Sequence, residues 1–219
     1  MFDASARPRV LPFLAYMLFI VLADLLQRSG LDEAQLRYVY PVKIAVVAAM
    51  LWHYRHAYVE LATPMNLGQG LLSVAVGVLV LVLWVNLDAG WMVIGQSAGY
   101  DPRDNGVVNW PLAMIRLAGA ALVVPVMEEL FWRSFLARWL QSANFLELRP
   151  IAIKLRFLVV TVILFGFEHN LWFAGIIAGI AYTLLYCRTG SLRTAVLAHA
   201  VTNGLLGVWI ICTAQWTYW

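Results

Sequence analysis

The stretch VVPVMEELFWRSFLARWL, Val123 to Leu140, decides how the rest of the chain is read. It is an apolar, helix-compatible run, yet two adjacent glutamates, Glu128 and Glu129, and an arginine, Arg133, stand near its middle. A charge at membrane depth costs roughly 3 kcal/mol per residue on insertion scales, so charges placed there mark a functional site by default. Glu129 and Arg133 are four apart, share a helix face and can pair. Glu128 is turned about 100° from that face and is left free of the arginine. Pro125, just upstream, removes a backbone hydrogen bond from the same helix. Two readings follow. In one, Glu129 and Arg133 fix helix packing and a neighbouring helix satisfies Glu128. In the other, Glu128 faces a cavity.

The surroundings of that stretch define the class of protein. The chain has 219 residues, 63% hydrophobic and 12% charged, with a mean hydropathy of +0.77. Soluble domains carry about 25% charged residues, enough to cover a surface, and this chain does not. It is read as an all-helical integral membrane protein. The net charge of +3 is small, and the basic residues stand at the ends of apolar runs rather than along one face. That placement sets topology and gives no basis for nucleic-acid binding. Cys187 and Cys212 form no ligand-spaced motif.

A span needs about 20 apolar residues. The expected spans are Val10–Gln27, Tyr38–Tyr58, Leu67–Leu87, Pro111–Leu140, Arg156–His169, Trp172–Cys187 and Leu192–Thr213. The first follows Arg7 and Arg9 like the apolar part of a signal peptide, but no small-x-small cleavage site follows it. It is read as a retained span. No internal repeat is visible, so a single transmembrane domain, 1–219, is expected, with N-terminal spans and an outer loop over 1–110 and a core over 111–213. About seven spans put nine basic residues (Arg7, Arg9, Arg55, Arg138, Arg149, Lys154, Arg156, Arg188, Arg193) on the N-terminal side and four (Arg28, Arg37, Lys43, Arg103) on the other. The excess predicts a cytoplasmic N-terminus. The loop with Asp88, Asp101 and Asp104 then lies outside, with Trp84, Trp91 and Trp110 as interfacial residues near it.

Two later segments carry further polar groups. Phe165 and His169 are four apart at the end of the fifth span, and Glu168 stands beside them. His199 and Asn203 are four apart on the seventh. Counted at 1.5 Å per residue, Glu128 lies about 15 Å from the Arg138 end of its span, His169 about 20 Å from Arg156, and His199 about 9 Å from Arg193. Three ionisable groups from three helices at similar depth suggest one polar site. A carboxylate there suits a general base, and a histidine can share the activation of a water. A second histidine and an asparagine offer donors for an oxyanion. As packing groups, the same His and Asn would be interhelical hydrogen bonds of about 1 kcal/mol each. Glu128, His169 and His199 are also a conceivable zinc set, although no HExxH is present. His53 and His56 read as part of an interfacial cluster, and Gly175 and Gly179 as a close-packing face.

In this order and on successive helices, EExxxR (Glu128, Glu129, Arg133), FxxxH (Phe165, His169) and HxxxN (His199, Asn203) resemble the type II CAAX prenyl endopeptidases and their bacterial relatives. These are the CPBP or ABI family of glutamate-dependent intramembrane proteases. The resemblance covers Pro111 to Thr213. It implies a helical core around a polar intramembrane cavity, with Glu128 and His169 activating the water and His199 and Asn203 forming the oxyanion site. Glu129, Arg133 and Phe165 would support that arrangement, with no metal required. The short chain is more similar to bacterial members, which implies a bacterial inner membrane and argues against a prenylated substrate. The expected function is endoproteolysis of a membrane protein or peptide. The alternatives are a non-catalytic scaffold or immunity-type protein of the same fold, and a proton-coupled transporter using Glu128 and His169 as a relay.

Overall fold

The computed structural model describes residues 4–95, 97 and 99–219, and it is helical almost throughout. Six helices are long and apolar enough to cross a membrane: α1 (Arg7–Arg28), α2 (Glu33–His53), α3 (Leu67–Trp84), α4 (Trp110–Trp139), α6 (Trp172–Thr189) and α7 (Leu192–Thr213). A shorter apolar helix, α5 (Leu155–Phe167), completes the set of seven. The predicted all-α polytopic architecture is therefore present. Several ends differ: the first and second helices begin at Arg7 and Glu33 rather than Val10 and Tyr38, and the third stops at Trp84 rather than Leu87. The second span stops at His53, and short 3-10 turns occupy Arg55–Ala57 and Val59–Leu61. The fifth stops at Phe167, so His169 lies beyond the helix rather than on its last turn.

Local chemistry explains the boundaries. Asp32 with Gln35, and Asn66 with Gln69, form reciprocal capping boxes that start α2 and α3. Gly190 adopts φ +70° and ends α6, a left-handed residue that glycine takes without steric cost. Between α3 and α4, Arg103–Asp104 (β1) and Val107–Val108 (β2) form a small antiparallel hairpin. Asn105 and Gly106 both have positive φ at its turn, as an Asn-Gly loop of this kind requires.

Side chains divide as a bilayer demands. Leu18, Leu71, Leu79 and Leu184 are exposed, where an aqueous protein would bury them. Val47, Met127, Leu130, Tyr182, Leu192, Ala195 and Ala198 form the core around the middle of α4. α7 packs along α3 and α5 along α6. The first contact depends on Gly77, where a Cβ would sit 2.5 Å from the Ala198 carbonyl oxygen. Thr202 Oγ1 donates across the same contact to the Gly77 carbonyl at 2.8 Å. The second depends on Gly166 facing Gly175, where a Cβ on Gly166 would collide with the Ile176 side chain. Close backbone approach through small residues is how helices associate without a hydrophobic drive between them.

α4 is not a uniform α-helix. Gly119–Val123 and Leu130–Leu136 are π-helical, and α-helical Val124–Glu129 lies between them. The widened turns flank the two glutamates. π-bulges of this kind are frequent at functional sites.

Candidate active site

The two glutamates part company at the backbone level. Glu129 is fully buried, and its Oε1 lies 3.2 Å from Arg133 Nη1. The same oxygen accepts from His199 Nδ1 at 2.9 Å. Glu128 projects instead into a cavity of about 690 Å³, which neither Glu129 nor Arg133 lines. Its Oε2 is buried without a hydrogen-bond partner and lies 3.9 Å from His199 Nε2. The division expected from helical spacing is thus observed. Spacing did not reveal that Glu129 serves His199 as well as Arg133.

His199 is held on three sides. Its Nδ1 is tied to Glu129, its ring stacks on Tyr182 at 4.9 Å, and Phe165 meets it edge-on at 6.2 Å. With Nδ1 carrying the proton, Nε2 is left as the acceptor that faces Glu128. His169 is organised the same way by different means. Its Nδ1 donates to the Phe165 carbonyl at 2.8 Å, so its Nε2 also carries the free lone pair. The four-residue spacing to Phe165 therefore acts through that residue's backbone carbonyl in the last turn of α5, as well as through ring contact at 4.9 Å. Trp84 packs edge-on against His169 at 5.3 Å and lines the cavity.

Asn203 has a specific anchor. Val124 N–H bonds the Gly119 carbonyl five residues back. In that register Ala120 would receive its bond from residue 125, but Pro125 has no N–H to give. The orphaned Ala120 carbonyl accepts instead from Asn203 Nδ2 at 2.9 Å. Asn203 is thus interhelical glue and still lines the cavity with its remaining amide hydrogen and carbonyl oxygen.

The cavity brings together Glu128, His169, His199 and Asn203, all four of the catalytic candidates, together with Phe165. It also holds Glu168, whose Oε2 accepts from Trp132 Nε1 at 3.0 Å. Arg133 lies behind it, over the Phe165 ring at 4.1 Å. No group of three or more His, Cys, Asp or Glu side chains at metal-holding spacing is found among the described residues, and Glu128, His169 and His199 do not form one. His53 and His56 lie outside the cavity.

One family model matches this part of the chain, described as Rce1-like: Type II CAAX prenyl endopeptidase Rce1-like, over residues 110–205. Over that stretch the chain resembles the Rce1-like family. The Rce1-like region contains all of α4 to α6 and most of α7, with Glu128, Glu129, Arg133, Phe165, His169, His199 and Asn203 inside it. It leaves α1 to α3 outside. The match makes that stretch similar to a family of CAAX-type proteases. Comparisons with curated proteins and with solved structures gave no match.

A second polar cluster escaped sequence reasoning. Glu60, in the turn after α2, accepts from Arg9 Nε at 2.7 Å and Nη2 at 2.5 Å. It also accepts from Ser134 Oγ on α4 and lies 3.8 Å from Arg138 Nη2. The four residues are almost wholly buried. Burial pushes the Glu60 carboxyl up, but the Arg9 hydrogen bonds and charge, with Ser134, outweigh it and hold the group below its ordinary value. This clamp ties the start of α1 to α4 one to two turns beyond the glutamates.

Proposed function

We propose that the chain is an intramembrane endopeptidase that hydrolyses a peptide bond in a membrane-associated protein or peptide, with a water activated by Glu128 and His169. The observation that carries this reading is the isolation of Glu128. It is a buried carboxylate with an unpartnered oxygen that lines the cavity with His169 and His199, whereas Glu129, whose Oε2 is also unpartnered, lies outside the cavity with its Oε1 on Arg133 and His199. Buried polar atoms are nearly always satisfied, so such an orphan marks a place where a ligand or water acts.

In this mechanism a water donates its hydrogens to Glu128 and to His169 Nε2. Glu128 takes one proton as the oxygen attacks the carbonyl carbon of the substrate. The resulting oxyanion is met by the free amide hydrogen of Asn203. His199 joins it when protonated on Nε2, since its neutral form offers only a lone pair there. Glu129 holds the His199 ring orientation and balances the imidazolium, as the buried carboxylate does in a Ser-His-Asp triad. Glu128 then returns its proton to the leaving nitrogen as the C–N bond breaks. No metal enters these steps.

The test uses purified protein in nanodiscs with a panel of hydrophobic peptides, repeated with His169→Ala and with a strong chelator. The reading expects cleavage that His169→Ala abolishes and the chelator leaves unchanged. Cleavage that survives His169→Ala removes the mechanism. Cleavage lost to the chelator and restored by zinc would make Glu128, His169 and His199 a metal set. Proton uptake into vesicles without any cleavage would favour a transporter.

A further inference from the structure

The cavity that holds Glu128 carries a carboxylate that the three motifs do not account for. Glu168 fills a variable position of FxxxH, directly before His169 in the turn that follows α5, and its side chain lines the cavity. Trp132 fixes it there, the indole Nε1–H donating to Glu168 Oε2 at 3.0 Å. Trp132 is buried on α4 about one turn beyond Glu128, so the bond holds the α5 turn and its carboxylate to the helix that carries Glu128. Among the described residues Glu168 Oε1 has no hydrogen-bond partner, and Glu168 has no ion pair.

Charge around Glu128 is one-sided. Glu128 is 4% exposed with its Oε2 unpartnered, and His199 Nε2, 3.9 Å away, faces it with a lone pair. Asp88 also lines the cavity, where it accepts from the Tyr218 hydroxyl at 2.9 Å. Arg116 is the one cation among the described lining residues, and it stands about 18 Å back along α4 from Glu128. Arg133 lies over the Phe165 ring with Glu129, outside the lining. Two carboxylates in one cavity without a paired cation are an unfinished arrangement, since buried charge is normally paired. A cleft lined by one sign of charge draws in the other.

We propose that Glu168 is the subsite for the amine half of the cut substrate, accepting the N–H of the scissile amide and then holding the ammonium that this nitrogen becomes. This rests on the hydrolase reading above and adds where the leaving chain is held. Hydrolysis creates a cation in this cavity at every turnover. The attacking water brings two protons. Glu128 carries one to the nitrogen as the C–N bond breaks, and the second passes from the new carboxyl group to the amine, leaving a carboxylate and an ammonium. Glu168 offers Oε1 to that ammonium while Oε2 stays on Trp132. A lysine side chain or an ethanolammonium headgroup shares the chemistry. Glu168 adjoins His169 and shares the Glu128 cavity, where the nitrogen is released, and that placement favours the product amine.

Binding is measured with the Glu128→Gln protein in phosphatidylcholine nanodiscs at pH 7, so that turnover and the Glu128 charge play no part. The probes are an apolar hexapeptide with a free amino terminus, labelled with fluorescein at its carboxyl end, and the same peptide acetylated. The amine is expected to bind on the order of tenfold more tightly, as a charged hydrogen-bonded contact allows. In Glu128→Gln/Glu168→Gln the preference should vanish while the acetylated peptide binds as before, because glutamine still accepts from Trp132. Glu128→Gln/Trp132→Phe removes only the anchor and should weaken the preference too, which keeps the test open if the double glutamine variant fails to fold. Equal binding of amine and acetylated peptide by the Glu128→Gln protein overturns the proposal, as does a preference that survives Glu168→Gln. An acetylated peptide with an added internal lysine that binds as tightly as the amine also overturns it, as does loss of the preference when phosphatidylethanolamine is added. A failed cleavage panel with a Glu168-dependent preference would fault the hydrolase reading and leave the amine subsite standing.

Discussion

Glu128 and Glu129 are sequence neighbours, yet substituting each by glutamine should do opposite things to stability. Glu129 is 0% exposed and answers both Arg133 at 3.2 Å and His199 at 2.9 Å. Glutamine there leaves the Arg133 guanidinium, 3% exposed, with no counter-charge. Breaking a buried pair in this way costs about 3–5 kcal/mol. At about 2–4 °C per kcal/mol for a chain of this size, the thermal midpoint should fall on the order of ten degrees. Glu128 has no such partner, and its nearest cation candidate, His199 Nε2, stands 3.9 Å away. A neutral glutamine there removes a buried charge that nothing compensates, so the midpoint should hold or rise. The assay is thermal unfolding of both variants in one detergent at one scan rate, since membrane proteins often unfold irreversibly. A Glu128→Gln protein that loses as much as Glu129→Gln would refute the division of labour, because Glu128 would then be a packing residue too.

Three further outcomes follow from particular contacts. Asn203→Ala leaves the Ala120 carbonyl unpaired and should cost about 1–2 kcal/mol. In a Pro125→Ala background, where an N–H is restored, a thermal-unfolding double-mutant cycle should recover part of that loss, and strict additivity would refute the pairing. Glu60 is held below its ordinary value, so its contribution is present at neutral pH and is lost as pH falls through the depressed value. Melting measured from pH 7 to pH 3 should show an acid-side decline that Glu60→Gln flattens, with a lower plateau because Arg9 is left buried and unpaired. Gly77→Ala puts a Cβ 2.5 Å from the Ala198 carbonyl, so α3 must move from α7 beside His199. Overpacking of this kind costs about 1–3 kcal/mol, and peptide cleavage should fall along with the melting temperature.

Helix number and most boundaries were legible because each rests on local composition. The seventh helix runs Leu192–Thr213 as read, and the fourth begins and ends within a residue of its expected span. The pairing of Glu129 with Arg133 was legible for the same reason, since a four-residue spacing fixes a shared face. The rest of the site depends on contacts between distant segments. His199 reaches Glu129 and Ser134 reaches Glu60 only after folding, and no spacing records either. The place of Asn203 was half written, because Pro125 announces a missing donor but not which residue replaces it. His169 was placed on a helix that stops at Phe167, two residues short, and the turn keeps its ring on the Phe165 carbonyl. Lys43 entered the sequence reading only as a charge counted toward topology, and its place in a chamber with Tyr16 and Tyr40 depends on helix packing.

The central claim is that Glu128 activates a water which becomes part of the product. The most direct measurement is peptide cleavage in oxygen-18 water, followed by mass spectrometry, for the parent protein and for Glu128→Gln. The account predicts one labelled oxygen in the new carboxyl terminus and a rate lower by on the order of a hundred- to ten-thousandfold in Glu128→Gln, the span expected for loss of a general base. Labelled product formed by Glu128→Gln at the parent rate would contradict it.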